Sequence, residues 1–124
     1  SLKVIKVGSS ISLIGKKIEE IAHPNNFSVV RDFCGHGVGL NFHENPSILH
    51  YYDNDYDEIK FVDGMIFTVE PMINAGKYHS KILNDGWTAV TKDKTLSAQY
   101  EHTVYINGDK IEILTESPNG IFYN

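Results

Sequence analysis

The chain has 124 residues, of which 41% are hydrophobic and 11% aromatic, and its formal net charge is −5. This length and composition suit one domain with its own core and argue against intrinsic disorder. The acidic balance contains no block of one sign, so it argues against a nucleic-acid partner and provides no basic patch for a membrane surface.

A single cysteine, Cys34, excludes an internal disulfide and suits a reducing compartment. No apolar run approaches the roughly 20 residues of a transmembrane helix, and the first residues do not resemble a signal peptide. We therefore expect a soluble protein without a membrane partner, and the cytoplasm is its expected compartment.

One helix is predicted near the start of the chain. It follows Gly8, with Ser9 or Ser10 as its N-cap, and Pro24 ends it. Apolar residues recur at helical spacing, so one face of this helix belongs in a core. That face carries Ile11, Ile14, Ile18 and Ile21.

Strands and turns are predicted for most of the remaining chain. Residues 27–30 predict a short strand, and the glycine-rich stretch CGHGVGLNFHENP (34–46) predicts a loop after it. The acidic residues 51–60 predict a surface segment. Further strands are predicted in DGMIFTVEPMI (63–73) and GWTAVT (86–91), and in YEHTVYI (100–106) and IEILT (111–115), which flank the hairpin signal Asn107-Gly108.

Two of these strands carry one carboxylate each in an otherwise uncharged setting. Strand alternation puts Glu70 on the face of Thr68, and Glu101 on the face of Thr103. Buried carboxylates require pairing, hydrogen bonds or a metal, so a cation is expected near them, with a histidine from the glycine-rich stretch as a nitrogen ligand. Imidazole and carboxylate together suit first-row divalent metals, and bridging carboxylates suit a hydrolytic two-metal site.

A purely structural interpretation exists for each of these residues taken singly. A histidine in a glycine-rich loop is more often hydrogen-bonded than a ligand, and a glutamate in a strand is more often at an edge or paired with a base. Phe42 and Trp87 are by default core residues.

Three longer stretches carry a resemblance to a known family. CGHGVGLNFHENPSILHY (34–51), FTVEPMI (67–73) and DGWTAVTKDKTLSAQYEHT (85–103) resemble, in this order and at these separations, the C-terminal half of type I methionine aminopeptidases. The separation of 34 residues between His36 and Glu70 has no room for the insertion of type II enzymes. The resemblance implies an α+β, pita-bread fold, in which a curved antiparallel sheet with a flanking helix holds a dinuclear metal centre.

The resemblance also implies a role for each matching residue. His36, Glu70 and Glu101 are expected to bind metal, and Glu70 is also expected to transfer a proton during hydrolysis. His43 is expected to contact the scissile peptide and to stabilise its tetrahedral intermediate. Phe42 and Trp87 match positions that line the methionine pocket. The implied cofactor is two divalent ions per complete site, of Co, Mn, Fe or Zn, and the implied partner is a peptide or nascent chain with Met first and a small second residue.

One departure from the family pattern is large. The family's other two metal ligands are aspartates eleven residues apart, and no two aspartates here have that spacing. Residues 1–124 are therefore expected to form one partial domain, inactive alone, whose partner is the missing N-terminal half. The alternatives are a pita-bread binding module without catalysis, and a prolidase or proline aminopeptidase of the same fold.

Overall fold

The computed structural model describes residues 1–117, and in this range the chain forms one α-helix, ten short strands and three 3₁₀ turns. The helix is α1 (Ser12–Ala22). The strands in chain order are β1 (Ser28–Val29), β2 (Gly35–Gly37), β3 (Glu44–Ile48), β4 (Ile66–Val69), β5 (Met72–Asn74), β6 (Ser80–Ile82), β7 (Ala89–Thr91), β8 (Ser97–Gln99), β9 (His102–Asn107) and β10 (Lys110–Ile113).

The predicted helix is present, but the prediction of Ser9 or Ser10 as its N-cap is wrong, because the helix begins at Ser12 and its N-cap residue is Ile11, which makes no side-chain cap hydrogen bond. The Ser10 hydroxyl accepts a hydrogen bond from the amide of Ser12, the first helical residue, at 3.2 Å. At the other end, α1 continues into the 3₁₀ turn His23–Asn25, which contains Pro24. Asn26 then adopts a left-handed conformation with φ 60°, and this conformation ends the helical segment.

One residue of the predicted helix face is wrong. Ile11, Ile14 and Ile18 are buried as expected, but Ile21 is 54% exposed and Ala22 is buried instead. Ile21 lies at the edge of the face, where it borders an open apolar groove beside Phe27 and Pro71.

Every paired strand runs antiparallel to its neighbours. The main sheet has the order β10-β9-β4-β2-β3, a smaller sheet has the order β1-β5-β8, and β6 pairs with β7 in a hairpin. One face of the main sheet supplies Phe67, Val104 and Ile106 to the core, where they are clustered with the buried residues of α1. These features confirm the predicted α+β class.

The stretch 34–46 is not the predicted loop. It contains β2 and the start of β3, and only the segment between them lacks strand structure. The glycines of β2 serve close strand approach rather than turning, because a Cβ atom on Gly35 would collide with the Thr68 carbonyl group and one on Gly37 with that of Asn45. Pro46 is tolerated since β3 is an edge strand.

The later predictions are confirmed, but besides β2 and β3 two further strands went unpredicted. Pro71 separates β4 from β5, so the chain leaves the main sheet directly after Glu70. The hairpin of β9 and β10 turns at Gly108, whose φ is 58°. Residues 51–60 lie mostly at the surface. The polar strands β6 and β8 were not predicted.

Candidate metal centre

The register of the main sheet aligns the predicted site residues. His36 follows Gly35 in β2, Thr68 pairs with Thr103 between β4 and β9, and the His36 amide donates to the Thr68 hydroxyl at 3.0 Å. Continued one step beyond its last pair, the register of β4 and β9 aligns Glu70 with Glu101. The two carboxylates therefore belong to the sheet face that α1 does not cover.

His36 and Glu70 are in contact on this face. Nε2 of His36 lies 3.6 Å from Oε1 of Glu70, and both side chains are largely shielded from solvent. The Thr68 hydroxyl donates to the same Oε1 at 2.8 Å. The other ring nitrogen, Nδ1 of His36, lies 2.9 Å from the Gly37 carbonyl oxygen, which can only accept, so Nδ1 carries the proton. In this tautomer the ring's acceptor nitrogen is Nε2, which is the nitrogen near Glu70.

The separation of His36 and Glu70 would allow both side chains to bind the same divalent metal ion. Two ligands of one ion, each about 2.1 Å from it, are at most about 4.2 Å apart, and the separation of 3.6 Å lies within that span. The Nδ1–H bond to a backbone carbonyl is also the usual way in which a ligating imidazole is oriented. A neutral imidazole and a carboxylate suit first-row divalent metals.

Glu101 does not complete a three-ligand set in residues 1–117. No three histidine, cysteine, aspartate or glutamate side chains there are grouped closely enough to hold one ion. The prediction that both carboxylates lie in a sheltered setting holds for Glu70 and is wrong for Glu101, which is exposed. The reason is its position one residue before β9 begins, beyond the last pair with β4.

His43 lies against His36, although they are seven positions apart in the sequence. Their ring centroids are 4.1 Å apart, and the Phe42 ring meets that of His43 edge-on at 4.7 Å. The connecting loop is held by Glu44, whose carboxylate accepts from the Asn41 amide at 2.8 Å. The loop therefore presents an imidazole and an aromatic ring beside His36 and Glu70.

The default interpretation of Phe42 and Trp87 as core residues is wrong. Phe42 is 72% exposed and Trp87 is 88% exposed. Trp87 lies between β6 and β7, where its amide donates to Asp85 at 3.0 Å. A concave region between this hairpin and β8 is lined by residues such as Val30 and Leu96, and no predicted site residue borders it.

Two residues at the site were missed by sequence reasoning. Thr68 contacts both His36 and Glu70, and its position on the face of Glu70 was the available signal. His50 is only 2% exposed, and its Nε2 accepts a hydrogen bond from the Glu70 amide at 3.1 Å. Burial lowers the pKa of the His50 imidazole from 6.5 to about 4, so it is a neutral acceptor at pH 7.

The chain is similar to one family of metallopeptidases. The model of metallopeptidase family M24 matches residues 1–108. The chain therefore belongs to metallopeptidase family M24, and this membership implies divalent metal ions as cofactors. Its residues 1–117 contain no helix long and apolar enough to cross a membrane.

Within this family, the chain is similar to methionine aminopeptidases. A methionine aminopeptidase of Buchnera aphidicola subsp. Acyrthosiphon pisum is 52% identical over 93% of this chain, and this match covers 43% of that relative. The crystal structure of the methionine aminopeptidase from Rickettsia prowazekii superposes with a TM-score of 0.85 at 49% identity, covering 90% of this chain and 45% of that one. The chain thus spans less than half the length of these relatives. The predicted pita-bread fold is confirmed by this match.

The alternative enzymes of the same fold are less similar. The prolidase from Pyrococcus furiosus superposes with a TM-score of 0.56 at 26% identity, over 91% of this chain and 27% of that one. Both measures are well below those for the methionine aminopeptidase from Rickettsia prowazekii. The likeness is therefore closer to the methionine aminopeptidases than to the prolidase.

Proposed function

We propose that residues 1–124 are the C-terminal half of a methionine aminopeptidase domain, which removes the initiator methionine from nascent proteins in the cytoplasm. The observation that carries this proposal is the contact of His36 with Glu70 at 3.6 Å, on the sheet face where the His43 ring also lies. The sequence identity of about 50% to methionine aminopeptidases supports a substrate that begins with methionine over an X-Pro peptide.

The proposed metal centre is shared between this chain and another polypeptide segment. His36, Glu70 and Glu101 are its ligands from this chain, and two ions need further carboxylates to balance their charge. His36 and Glu70 lie together, but Glu101 is not grouped with them in residues 1–117, and the further carboxylates come from the remainder of the domain. When bound, the ions polarise the peptide carbonyl group and acidify water.

The protein's own side chains supply the remaining chemistry. Glu70 accepts a proton from the attacking water and passes it to the leaving amine. His43 donates a hydrogen bond to the oxyanion that develops on the scissile carbonyl. Phe42 and Trp87 are exposed in this chain and form one wall of an apolar pocket for the methionine side chain, with the other wall contributed by the remainder of the domain.

The test uses a hybrid protein, in which this chain replaces its matching segment in the Buchnera aphidicola relative. The hybrid should release methionine from a Met-Ala-Ser peptide in the presence of Mn²⁺, Co²⁺, Fe²⁺ or Zn²⁺. His43→Ala should lower turnover about 10²-fold while metal content is unchanged, because it removes a hydrogen-bond donor to the transition state. His79→Ala, a change at an exposed histidine that is not one of the proposed site residues, is the matched control.

A second candidate function is a binding module without catalysis. The absence of a three-ligand group in the described part of the chain favours it. A folded hybrid that binds no metal and releases no methionine, beside an active unaltered relative, would support this module and contradict the aminopeptidase.

A further inference from the structure

The backbone at Glu70 is held in an unusual way. Glu70 comes directly after β4, and the next residue, Pro71, has no amide hydrogen, so the Glu70 amide is the last donor before the chain leaves the main sheet. This amide does not pair with a strand. It donates instead to Nε2 of His50, at 3.1 Å.

His50 reaches this amide from a distant part of the chain. It lies two residues after β3, the edge strand, whereas Glu70 follows β4, and β2 runs between these strands. The imidazole is buried, with 2% of the residue exposed. A buried ring that lies beyond the end of β3 and accepts one backbone hydrogen bond from Glu70 can fix the place at which β4 ends.

The position of the Glu70 carboxylate depends on where β4 ends. Thr68 binds Oε1 of Glu70 from within β4, and His36 approaches the same oxygen from β2. Both contacts depend on where the Glu70 backbone lies after β4 ends. Without the His50 acceptor, the residue between β4 and Pro71 keeps no backbone hydrogen bond through its amide.

We propose that His50 is a positioning residue, which holds the Glu70 backbone through its Nε2 acceptor and thereby directs the Glu70 carboxylate toward His36. This inference rests on the proposed function for its consequence, since the oriented carboxylate is a metal ligand there. The hydrogen bond itself belongs to the metal-free chain and can be measured without any catalytic activity.

The test compares three substitutions of His50. Gln places an amide oxygen near the position of Nε2 and retains the acceptor, whereas Leu fills the site without an acceptor. Asn has an acceptor that is too short to reach Glu70, and it serves if the Leu variant does not fold. His79→Gln is the control for changing an exposed histidine.

NMR provides two measurements: hydrogen exchange at the Glu70 amide of the metal-free chain, and signal broadening as the chain is titrated with Mn²⁺. In His50→Leu or His50→Asn, hydrogen exchange at the Glu70 amide should become roughly tenfold faster relative to the Phe67 amide, as expected for one lost hydrogen bond. The Mn²⁺ concentration that broadens the His36 and Glu70 signals should rise about 10- to 100-fold, the effect of removing a group that orients a ligand. His50→Gln and His79→Gln should match the unsubstituted chain in both readouts.

Each other outcome has a defined meaning. Unchanged Glu70 exchange and unchanged Mn²⁺ dependence in the Leu and Asn variants would overturn the proposal. So would a Gln variant as impaired as the Leu variant, because His50 would then act by packing alone. Absence of selective broadening in the unsubstituted chain would contradict the proposed metal centre, while the Glu70 exchange rates would still decide whether His50 holds that backbone.

Discussion

Thr68 connects the two donor side chains at the sheet face. Its hydroxyl has one hydrogen and two lone pairs, and it donates to Glu70 Oε1 at 2.8 Å while it accepts from the His36 amide at 3.0 Å. The residue is 2% exposed, so water does not replace either bond. Strand pairing of β2 with β4 and orientation of the carboxylate therefore depend on the same hydroxyl group.

Replacing Thr68 with Val should be destabilising although the shape is conserved. The His36 amide would lose its acceptor in a buried site, which costs about 1–3 kcal/mol in the free energy of unfolding. Thr68→Val should also weaken Mn²⁺ binding, because Glu70 loses the hydroxyl that orients it. Thr68→Ser retains the hydroxyl and should bind Mn²⁺ nearly as the unsubstituted chain does. Urea unfolding at pH 7 measures the stability, and equal stability of the Val variant and the unsubstituted chain would contradict the assigned bonds.

His50 should make the stability of the metal-free chain depend on pH. Burial sets its folded pKa at about 4, below the ordinary value of 6.5, so between these pH values the unfolded chain binds more protons. The contribution to the free energy of unfolding is thus complete above pH 6.5, and up to about 3 kcal/mol is lost as the pH falls to 4.

The matched variant for this prediction is His50→Gln, which does not titrate. Urea unfolding between pH 4 and 7 should show a smaller loss of stability for this variant than for the unsubstituted chain. His79→Gln, at an exposed position, should follow the unsubstituted chain. Parallel curves for His50→Gln and the unsubstituted chain would mean that His50 is not held neutral by burial.

Sequence patterns predicted some of these residues and had no means to predict others. Strand alternation correctly put Thr68 and Glu70 on one face, since that period is a property of any strand. His50 gave no signal because its partner is a backbone amide 20 residues away, and backbone partners leave no trace in residue type. The exposure of Glu101 was missed because it depends on where pairing with β4 ends.

At the scale of elements, α1 and the main sheet share one core through a narrow helix face. Ile14 is fully buried against that core, whereas Ile21, two turns later, is 54% exposed. The same residue type therefore occupies two environments on one helix. This contrast allows a matched pair of substitutions.

Ile14→Ala should lower the free energy of unfolding by about 2–5 kcal/mol, because it removes buried methyl groups and leaves a cavity. Ile21→Ala should cost clearly less, about 0.5 kcal/mol, because half of this residue is already in contact with solvent. Thermal and urea unfolding of both variants provide the comparison. Equal losses would show that Ile21 is packed against another surface.

Helices and strands were predictable where apolar residues recur at a regular spacing or a turn signal is present. The helix and β4, β7, β9 and β10 follow from apolar spacing or a turn signal, as does the hairpin at Gly108. In β2 the glycines suggested a loop, since glycine propensity does not reveal that neighbouring backbones approach too closely for a Cβ atom. The polar strand β8 is formed by pairing with β5, and a local pattern does not contain that pairing.

At the scale of the whole molecule, the candidate site is open. His36 and Glu70 meet, but Phe42 and Trp87 face solvent, and the described residues provide no three-ligand group. The relatives are more than twice as long as their matching segments. Sequence motifs could indicate the family, whereas the completeness of the site depends on residues outside the motifs.

The chain alone should therefore bind Mn²⁺ weakly and release no methionine from Met-Ala-Ser. Its donors suffice for one loosely held ion with water in the remaining positions, and two ions require additional carboxylates. A peptide assay on the purified chain, beside the hybrid protein at the same concentration, measures this difference. Turnover by the chain alone equal to that of the hybrid would contradict the shared centre.

The Mn²⁺ stoichiometry of the hybrid protein, measured by titration calorimetry, tests the shared metal centre most directly. We expect two ions per molecule in the hybrid, and a loss of at least one of them in His36→Ala and in Glu70→Ala, with His43→Ala and His79→Ala unchanged. Retention of both ions at the original affinity after both His36→Ala and Glu70→Ala would show that these residues do not bind the metal.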